Sequence, residues 1–399
     1  MNPVVGLDVA KGATEGQAFL DKGRPYGRHF QIVHTAEGLA QFHAVLQDLA
    51  VQAGTPPMVI LESTGHYHVP ILRFLDEHDY AYILVNPLIA HQAKKSSLRK
   101  VKTDALDAYH LGELYYKEDL EPLKRRGQQL LDLRNLTRQR QAVTDLFTQM
   151  KLQFHAVLDS VFPEYHGVFA LFSRVSLQTL RALPTAEAVL SVTVADVTDT
   201  VRQACPSRSA RWAAEKADLL REAAKRNPLR TAWLPSHVFS LRLYIQMILE
   251  YQAHLAELDR QIDTLSQEIE VCQLIQSIPG IGDTIAPTIV AEIGEIARFD
   301  HPKKLVAFAG VDPRVHASGQ FVASINRITK RGSSRLRRAL YLAALAGLRK
   351  SGSKRLQAFY KAKRAAGKPH KVALVACINK LLHWIYAILT RREGFVDVA

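Results

Sequence analysis

The chain has 399 residues, 47% of them hydrophobic, with a formal net charge of +14 and a pI of about 9.6. This composition excludes global disorder, leaves room for two or three packed domains, and points to a polyanionic partner. The charge is concentrated: Arg298 to Lys371 holds 19 Lys or Arg against Asp300 and Asp312, so the segment carries +17 and the remainder −3. Such a field favours nucleic acid, where each matched phosphate releases counterions.

Residues 1–120 alternate between strand and helix patterns. Val4 to Val9 reads as a short apolar strand containing Asp8. Gly16 to Leu20 and His29 to Val33 read as two more strands, with Asp21-Lys22-Gly23-Arg24-Pro25 turning between them. Thr35 caps a helix with Leu39, Phe42, Val45, Leu46 and Leu49 on its apolar face, stopped by Gly54 and Pro56. Met58 to Leu61 is a buried strand ending at Glu62, a helix follows to about His78, and Tyr80 to Val85 is a further strand. The order β-β-β-α-β-α-β-α matches an RNase H-like domain, a mixed sheet covered by helices.

Two long helical patterns follow. Leu133, Leu136, Val143, Phe147, Met150, Phe154 and Val157 recur at three and four within 129–158. Leu241 to Cys272 steps 3-4-3-4 without a break, a heptad seam that pairs with the first helix or, as the favoured arrangement, with another subunit. Residues 160–235 read only as helical. Ser277-Ile278-Pro279-Gly280-Ile281-Gly282 forces a tight turn between two apolar helices and resembles a helix-hairpin-helix element, whose backbone N–H groups contact phosphates. Leu336 to Leu348 is an Ala/Leu-rich helix.

Asp8 and Glu62 end strands that lie side by side in an RNase H-like sheet, which places both carboxylates at one edge. Asp104 and Asp107, three apart at a helix start, share a face, with Thr103 as a cap. Four gathered carboxylates repel one another unless cations neutralise them, and hard oxygen ligands select Mg²⁺ or Mn²⁺. Two such ions can clamp the attacking and leaving oxygens of a phosphoryl displacement. In the basic segment, Gly310, Pro313 and Gly319 shape a loop around Ser318. A serine among arginines can attack a phosphate, but the residues alone do not separate Ser318 from Ser333 or Ser334.

Together these motifs resemble the IS110-type (DEDD) transposases, the bridge-RNA-guided recombinases, over roughly 1–120 and 270–390. Asp8-Val9-Ala10-Lys11, Glu62-Ser63-Thr64-Gly65 and Lys102-Thr103-Asp104-Ala105-Leu106-Asp107-Ala108 are similar to the RuvC-like signature of that family. Ser277 to Gly282, Phe308 to Pro313, Ser318-Gly319 and Ile328 to Arg337 are similar to its C-terminal domain. The resemblance implies three regions: a RuvC-like catalytic domain at 1–125, a helical coiled-coil and oligomerisation region at 126–273, and a basic domain at 274–399. It further implies that Asp8, Glu62, Asp104 and Asp107 hold Mg²⁺ or Mn²⁺, and that Ser318 forms a transient phosphoserine bond to DNA. The implied nucleic-acid contacts are Lys11, Lys102, Gly280, Gly282, Arg314, Arg327, Lys330, Arg331, Arg335 and Arg337. Donor and target DNA, an element-encoded guide RNA, and a homo-oligomer (dimer or tetramer) are the implied partners. Two departures stand out: Thr329 occupies a position that is often Ser in the family, and the stretch between the long helices is longer than in compact members. The alternative is a RuvC-like, metal-dependent DNA nuclease of the junction-resolving type, which hydrolyses with water and forms no covalent intermediate.

Cys205, Cys272 and Cys377 lie far apart and form neither a disulfide framework nor a zinc spacing. The opening residues lack the basic region of a signal peptide, and Val372 to Thr390 is broken by Asn379, Lys380 and His383, so it reads as a packed helix and not a membrane span. A bacterial cytoplasmic location, without membrane, is the expectation.

Overall fold

The computed structural model describes residues 1–62, 66–85, 104–118, 120, 127–228, 235–313, 317–318, 321–322 and 327–397. The chain divides into two compact units, Met1–Arg125 and Arg126–Ala399.

The first unit is a five-stranded mixed sheet with helices. Its elements are β1 (Val4–Val9), β2 (Ala13–Asp21), β3 (Arg24–Val33), α1 (Ala36–Ala53), β4 (Met58–Glu62), α2 (Val69–Glu77), β5 (Tyr82–Val85) and α3 (Asp104–Lys117). The strand order is β3-β2-β1-β4-β5. β1 to β3 form an antiparallel meander, and β4 and β5 run parallel to β1. This is the RNase H-like arrangement that the element order predicts. β2 and β3 are longer than the sequence pattern suggests, because a two-residue turn at Lys22-Gly23 lets pairing run to Asp21↔Arg24. Thr35 caps α1 through the Gly38 amide, and Gly54 closes it in the left-handed conformation at φ 74°.

Alternation along the strands builds two cores. Val5, Leu7, Val59 and Leu61 pack with Phe42 and Leu46 of α1 and with Leu75 of α2. Val4, Ile60 and Ile83 point the other way and pack with Leu111 and Leu114 of α3.

Among the described residues, the second unit is helical apart from one short hairpin and two isolated bridges. α4 (Gln128–Val161) and α9 (Pro235–Gln267) are the two long helices, the second spanning roughly 50 Å at 1.5 Å per residue. Contrary to the favoured inter-subunit arrangement, they pack on each other within the chain. Arg140 pairs with Asp259, and the Phe147 and Tyr251 rings lie 6.3 Å apart. The seam is also not continuous: α9 ends at Gln267, and α10 (Glu270–Gln276) carries Cys272 after Ile269 leaves the helix at φ −107°, ψ 95°. A 3-4 spacing survives such a break because both helices still bury their apolar side chains in one core.

Between the long helices lie α5 (Arg174–Ala182), α6 (Ala186–Leu190), α7 (Val194–Ala204) and α8 (Ala210–Arg226). They enclose a core with Phe154, Leu158, Leu241 and Ile248 at one end of the α4–α9 pair. At the other end, Leu133 and Ile262 join the core formed by α10, α11 (Ile285–Ile293), α12 (Pro302–Ala309), α13 (Ser334–Gly347), α14 (Lys354–Ala365) and α15 (His370–Arg391). The expected boundary between 273 and 274 runs through a single core: Ile262, Ile269, Cys272, Leu340 and Leu382 belong to one cluster. α15 is long and apolar enough to cross a membrane by length and composition, yet Leu374, Cys377, Leu381 and Ile385 are buried in that core. The three cysteines are free thiols, and burial pushes Cys272 up to about 12 and Cys377 up to about 11.

Candidate active site and nucleic-acid interface

The position of α3 on the sheet decides where the acids go. A Cβ on Gly6 would lie 2.2 Å from the Ala108 carbonyl oxygen and 2.5 Å from the Gly112 nitrogen. A Cβ on Gly112 would in turn meet the Phe19 ring at 2.3 Å. Only glycine at both positions allows this approach. The helix runs antiparallel to β1, because its far end returns to the start of the strand. There the Tyr115 hydroxyl donates to Asn2 Oδ1 at 2.9 Å, and the Tyr116 hydroxyl to the Asn2 carbonyl at 2.7 Å. The first turn, with Asp104 and Asp107, therefore lies toward Asp8.

Asp8 alternates in phase with Val4 and Gly6, so it projects to the α3 side of the sheet. Glu62 alternates in phase with Ile60 and projects to the same side. The β1–β4 ladder closes at Leu7↔Leu61, so Asp8 and Glu62 stand one step beyond it on neighbouring strands, which are spaced about 4.8 Å apart. Asp107 is buried, Asp104 is exposed, and Asp8 and Glu62 are half-buried. All four carboxylates thus belong to one face and one end of the sheet. They do not form a closed shell: among the described residues no three of His, Cys, Asp or Glu are gathered closely enough to hold a metal ion. The all-oxygen donor set is nevertheless the chemistry that suits Mg²⁺ or Mn²⁺. Ser63, Thr64 and Gly65 of the second motif, and Lys102 and Thr103 of the third, lie outside the described residues.

The serine segment is held by a backbone frame within the second unit. Pro313 bridges to Ile328, the Thr329 amide donates to the Asp312 carbonyl at 2.9 Å, and the Thr329 hydroxyl donates to Asp312 Oδ1 at 2.6 Å. Thr329 thus supplies the hydroxyl that a serine would supply there. Gly310, at φ 68°, passes so close to Gly332 that a Cβ on Gly332 would lie 1.7 Å from the Phe308 carbonyl oxygen. The same segment contains a hairpin, β6 (Ala317–Ser318) paired antiparallel with β7 (Phe321–Val322). Ser318 is partnered with Phe321, and the two residues between them lie outside the described residues. Ser333 and Ser334 have different places: Ser333 caps α13 and donates to Glu292, and Ser334 begins that helix.

The predicted nucleic-acid contacts separate into groups. Lys11, Arg327, Lys330, Arg331 and Arg335 are exposed. Arg314 lies outside the described residues. Arg337 turns inward and donates to the Ala309 and Gly332 carbonyls at 3.1 and 2.7 Å, so it braces the loop frame, and burial lowers its pKa. Gly280, at φ 103°, packs on α13, where a Cβ would lie 2.4 Å from the Gly347 nitrogen. Its role in the turn is close packing, while Gly282, Asp283 and Thr284 are the exposed positions at the entrance of α11.

One charged centre escapes the sequence motifs. Glu292 is 1% exposed and accepts from Arg138 at 2.7 and 3.1 Å and from the Ser333 hydroxyl at 2.9 Å. Burial alone would raise its pKa, but Arg138, Ser333 and Arg134 outweigh burial and hold the carboxyl below its ordinary value. A carboxylate inside the apolar run Ile289-Val290-Ala291-Glu292-Ile293 is the sequence signal for such a centre, since a buried acid requires a cation.

Comparisons with known proteins find relatives at both ends of the chain. A family model described as "Transposase" (DEDD_Tnp_IS110) matches residues 5–163, and one described as "Transposase IS116/IS110/IS902 family" matches 272–361. The transposase for insertion sequence element IS1111A of Coxiella burnetii is 33% identical over 158 residues, which is 38% of this chain and 42% of that protein. The 42 kDa protein of insertion element IS900 of Mycobacterium paratuberculosis is 28% identical over 75% of this chain and 74% of its own length. The pilin gene-inverting protein of Moraxella lacunata is 24% identical over 98% of this chain and 97% of its own length. A solved structure of T. thermophilus RuvC with a Holliday junction substrate aligns over 31% of this chain, at 12% identity and a TM-score of 0.24. With matching models at both ends and a full-length relative between them, the chain belongs to the IS110 family of transposases.

Proposed function

We propose that the chain cuts and rejoins DNA at the ends of an insertion sequence through a phosphoserine intermediate. The observation that supports this most is the shared edge and face of Asp8, Glu62, Asp104 and Asp107, in a protein that also presents Ser318 on a framed hairpin in its most basic segment. In this proposal the Ser318 oxygen attacks a backbone phosphorus and one P–O ester bond breaks. The serine proton goes, directly or through solvent, to the departing strand oxygen. A hydroxyl of another strand then attacks the phosphorus, the Oγ–P bond breaks and the hydroxyl's proton returns to the serine oxygen, so one ester replaces another and no nucleotide cofactor is consumed.

Asp8, Glu62, Asp104 and Asp107 would hold Mg²⁺ or Mn²⁺, which when bound supplies charge neutralisation at the phosphate oxygens. Arg327, Lys330, Arg331 and Arg335 would hold the backbone. An element-encoded RNA selecting donor and target by pairing, a dimer or tetramer bringing hairpin and carboxylates together, and a cytoplasmic location complete the proposal. The test is incubation of the protein with DNA and Mg²⁺ followed by denaturation. A covalent protein–DNA adduct that disappears in Ser318→Ala supports the proposal. Cleavage that is unaffected by Ser318→Ala and leaves no adduct favours the junction-resolving nuclease. RNA that copurifies and matches the insertion sites supports guidance.

A further inference from the structure

Three helices of the second unit meet around a groove in which Arg335 is the one residue that a sequence motif marks, with a cavity of about 70 Å³. α4 supplies Thr137, Arg140 and Gln141, the start of α11 supplies Thr284 and Thr288, and α13 supplies Arg335 and Arg338. The wall acid, Glu292, is already closed by Arg138 and Ser333. Arg140 is likewise closed by Asp259, which leaves Arg335 and Arg338 as the cationic lining. Arg335 makes no hydrogen bond or ion pair among the described residues.

At the rim, Asp145 of α4 accepts from Gln141 at 2.7 Å and from Arg338 at 3.1 Å. It is thus an exposed carboxylate bridging donors from two walls of the groove. Pairs this exposed are weak and exchangeable. A phosphate presents the same charge-assisted acceptor oxygens and takes the same donors. The groove opens beside the exposed Gly282-Asp283-Thr284 entrance of α11, so a backbone crossing that entrance continues between α13 and α4.

We propose that this groove holds a phosphate of duplex DNA, with Asp145 occupying the position in its absence, and that α4 is therefore a wall of the DNA path as well as half of the coiled coil. The proposal rests on the DNA-recombinase reading and adds the site, its α4 wall and the displaceable carboxylate.

The test uses the full chain in a Ser318→Ala background, so that binding is read without chemistry. Random-sequence duplex DNA and random-sequence RNA of equal length are titrated across a range of salt. The Arg335→Gln, Arg338→Gln double variant should lower the slope of log K against log salt by about 1 to 2, since each lost phosphate contact removes about 0.9 on duplex DNA. Gln141→Lys should raise duplex affinity several-fold, Gln141→Glu should lower it, and Asp145→Asn should raise it. Opposite responses to Lys and Glu at one position separate a charge effect from misfolding. Equal losses in both Gln141 variants, an unchanged slope in the arginine variant, or effects confined to RNA would overturn the groove assignment. If the parent protein binds no duplex at all, the recombinase reading fails; if it binds and ignores the groove variants, only this inference fails.

Discussion

Gly6 and Gly112 meet backbone to backbone: a Cβ on Gly6 would lie 2.5 Å from the Gly112 nitrogen. That contact sets how deeply α3 sits on β1, and so where Asp104 and Asp107 stand relative to Asp8. Gly6→Ala should cost about 1–3 kcal/mol by overpacking. It should also reduce DNA cleavage by displacing the two aspartates. Thermal unfolding and cleavage assays on the full chain check this, with Gly127→Ala, where a Cβ meets nothing within 4 Å, as the neutral control.

Asp8→Asn and Glu62→Gln remove charge at the sheet edge with little change in shape. Changing groups that merely support metal ligands costs 10–100-fold, so either variant should lose about 100-fold or more in Mg²⁺-dependent cleavage. Cleavage rates against Mg²⁺ and Mn²⁺ concentration read the effect, and wild-type rates in either variant would remove that residue from the metal site.

Glu292→Gln leaves Arg138 facing a neutral amide in a mostly closed pocket. The expected loss is roughly 2–3 kcal/mol, below that of a fully enclosed pair because Arg138 keeps about a third of its surface. The sign of the pH dependence follows from the lowered native pKa of Glu292. Its stabilisation is fully present above the ordinary carboxyl value of 4.5 and is lost as pH falls through the lowered native value. Denaturant titrations of wild type and Glu292→Gln should therefore differ at pH 7 and converge under acid conditions.

Arg337→Met should loosen the loop frame. Arg337 Nη1 donates to two carbonyls of the frame, and an apolar side chain of similar length leaves both without this donor. Formation of the DNA adduct should slow about tenfold, the equivalent of one lost charge-assisted hydrogen bond. Duplex affinity should change little, because this side chain faces inward. A large loss of affinity at unchanged adduct rate would return Arg337 to the DNA-contacting surface.

Gly280→Ala should act through the fold. Its φ of 103° is strained for alanine, and the added carbon meets Gly347 at 2.4 Å. A drop of about 2 kcal/mol or more in stability is expected. Gly282→Ala, with no atom within 4 Å of its Cβ, should leave stability almost unchanged. Urea unfolding of both variants distinguishes packing from DNA contact at this turn.

Local chemistry was enough to read the strands, the Thr35 cap, the edge position of Asp8 and Glu62, and the density of positive charge. Each depends on alternation, capping or composition, which neighbouring residues specify by themselves. Residues 160–235 read only as helical; their caps Ser173, Thr185, Thr193 and Ser209 emerge from the structure, because helices this short have no distinctive long-range pattern. Tertiary contact decided the rest. Whether α4 and α9 pair within the chain depends on Arg140 meeting Asp259 more than a hundred residues away, and a heptad spacing is the same for either partner. The inward turn of Arg337, the packing of Gly280, the Glu292 centre and the polar groove depend on which helix faces which. Periodicity names the face that is buried, but not the partner that covers it.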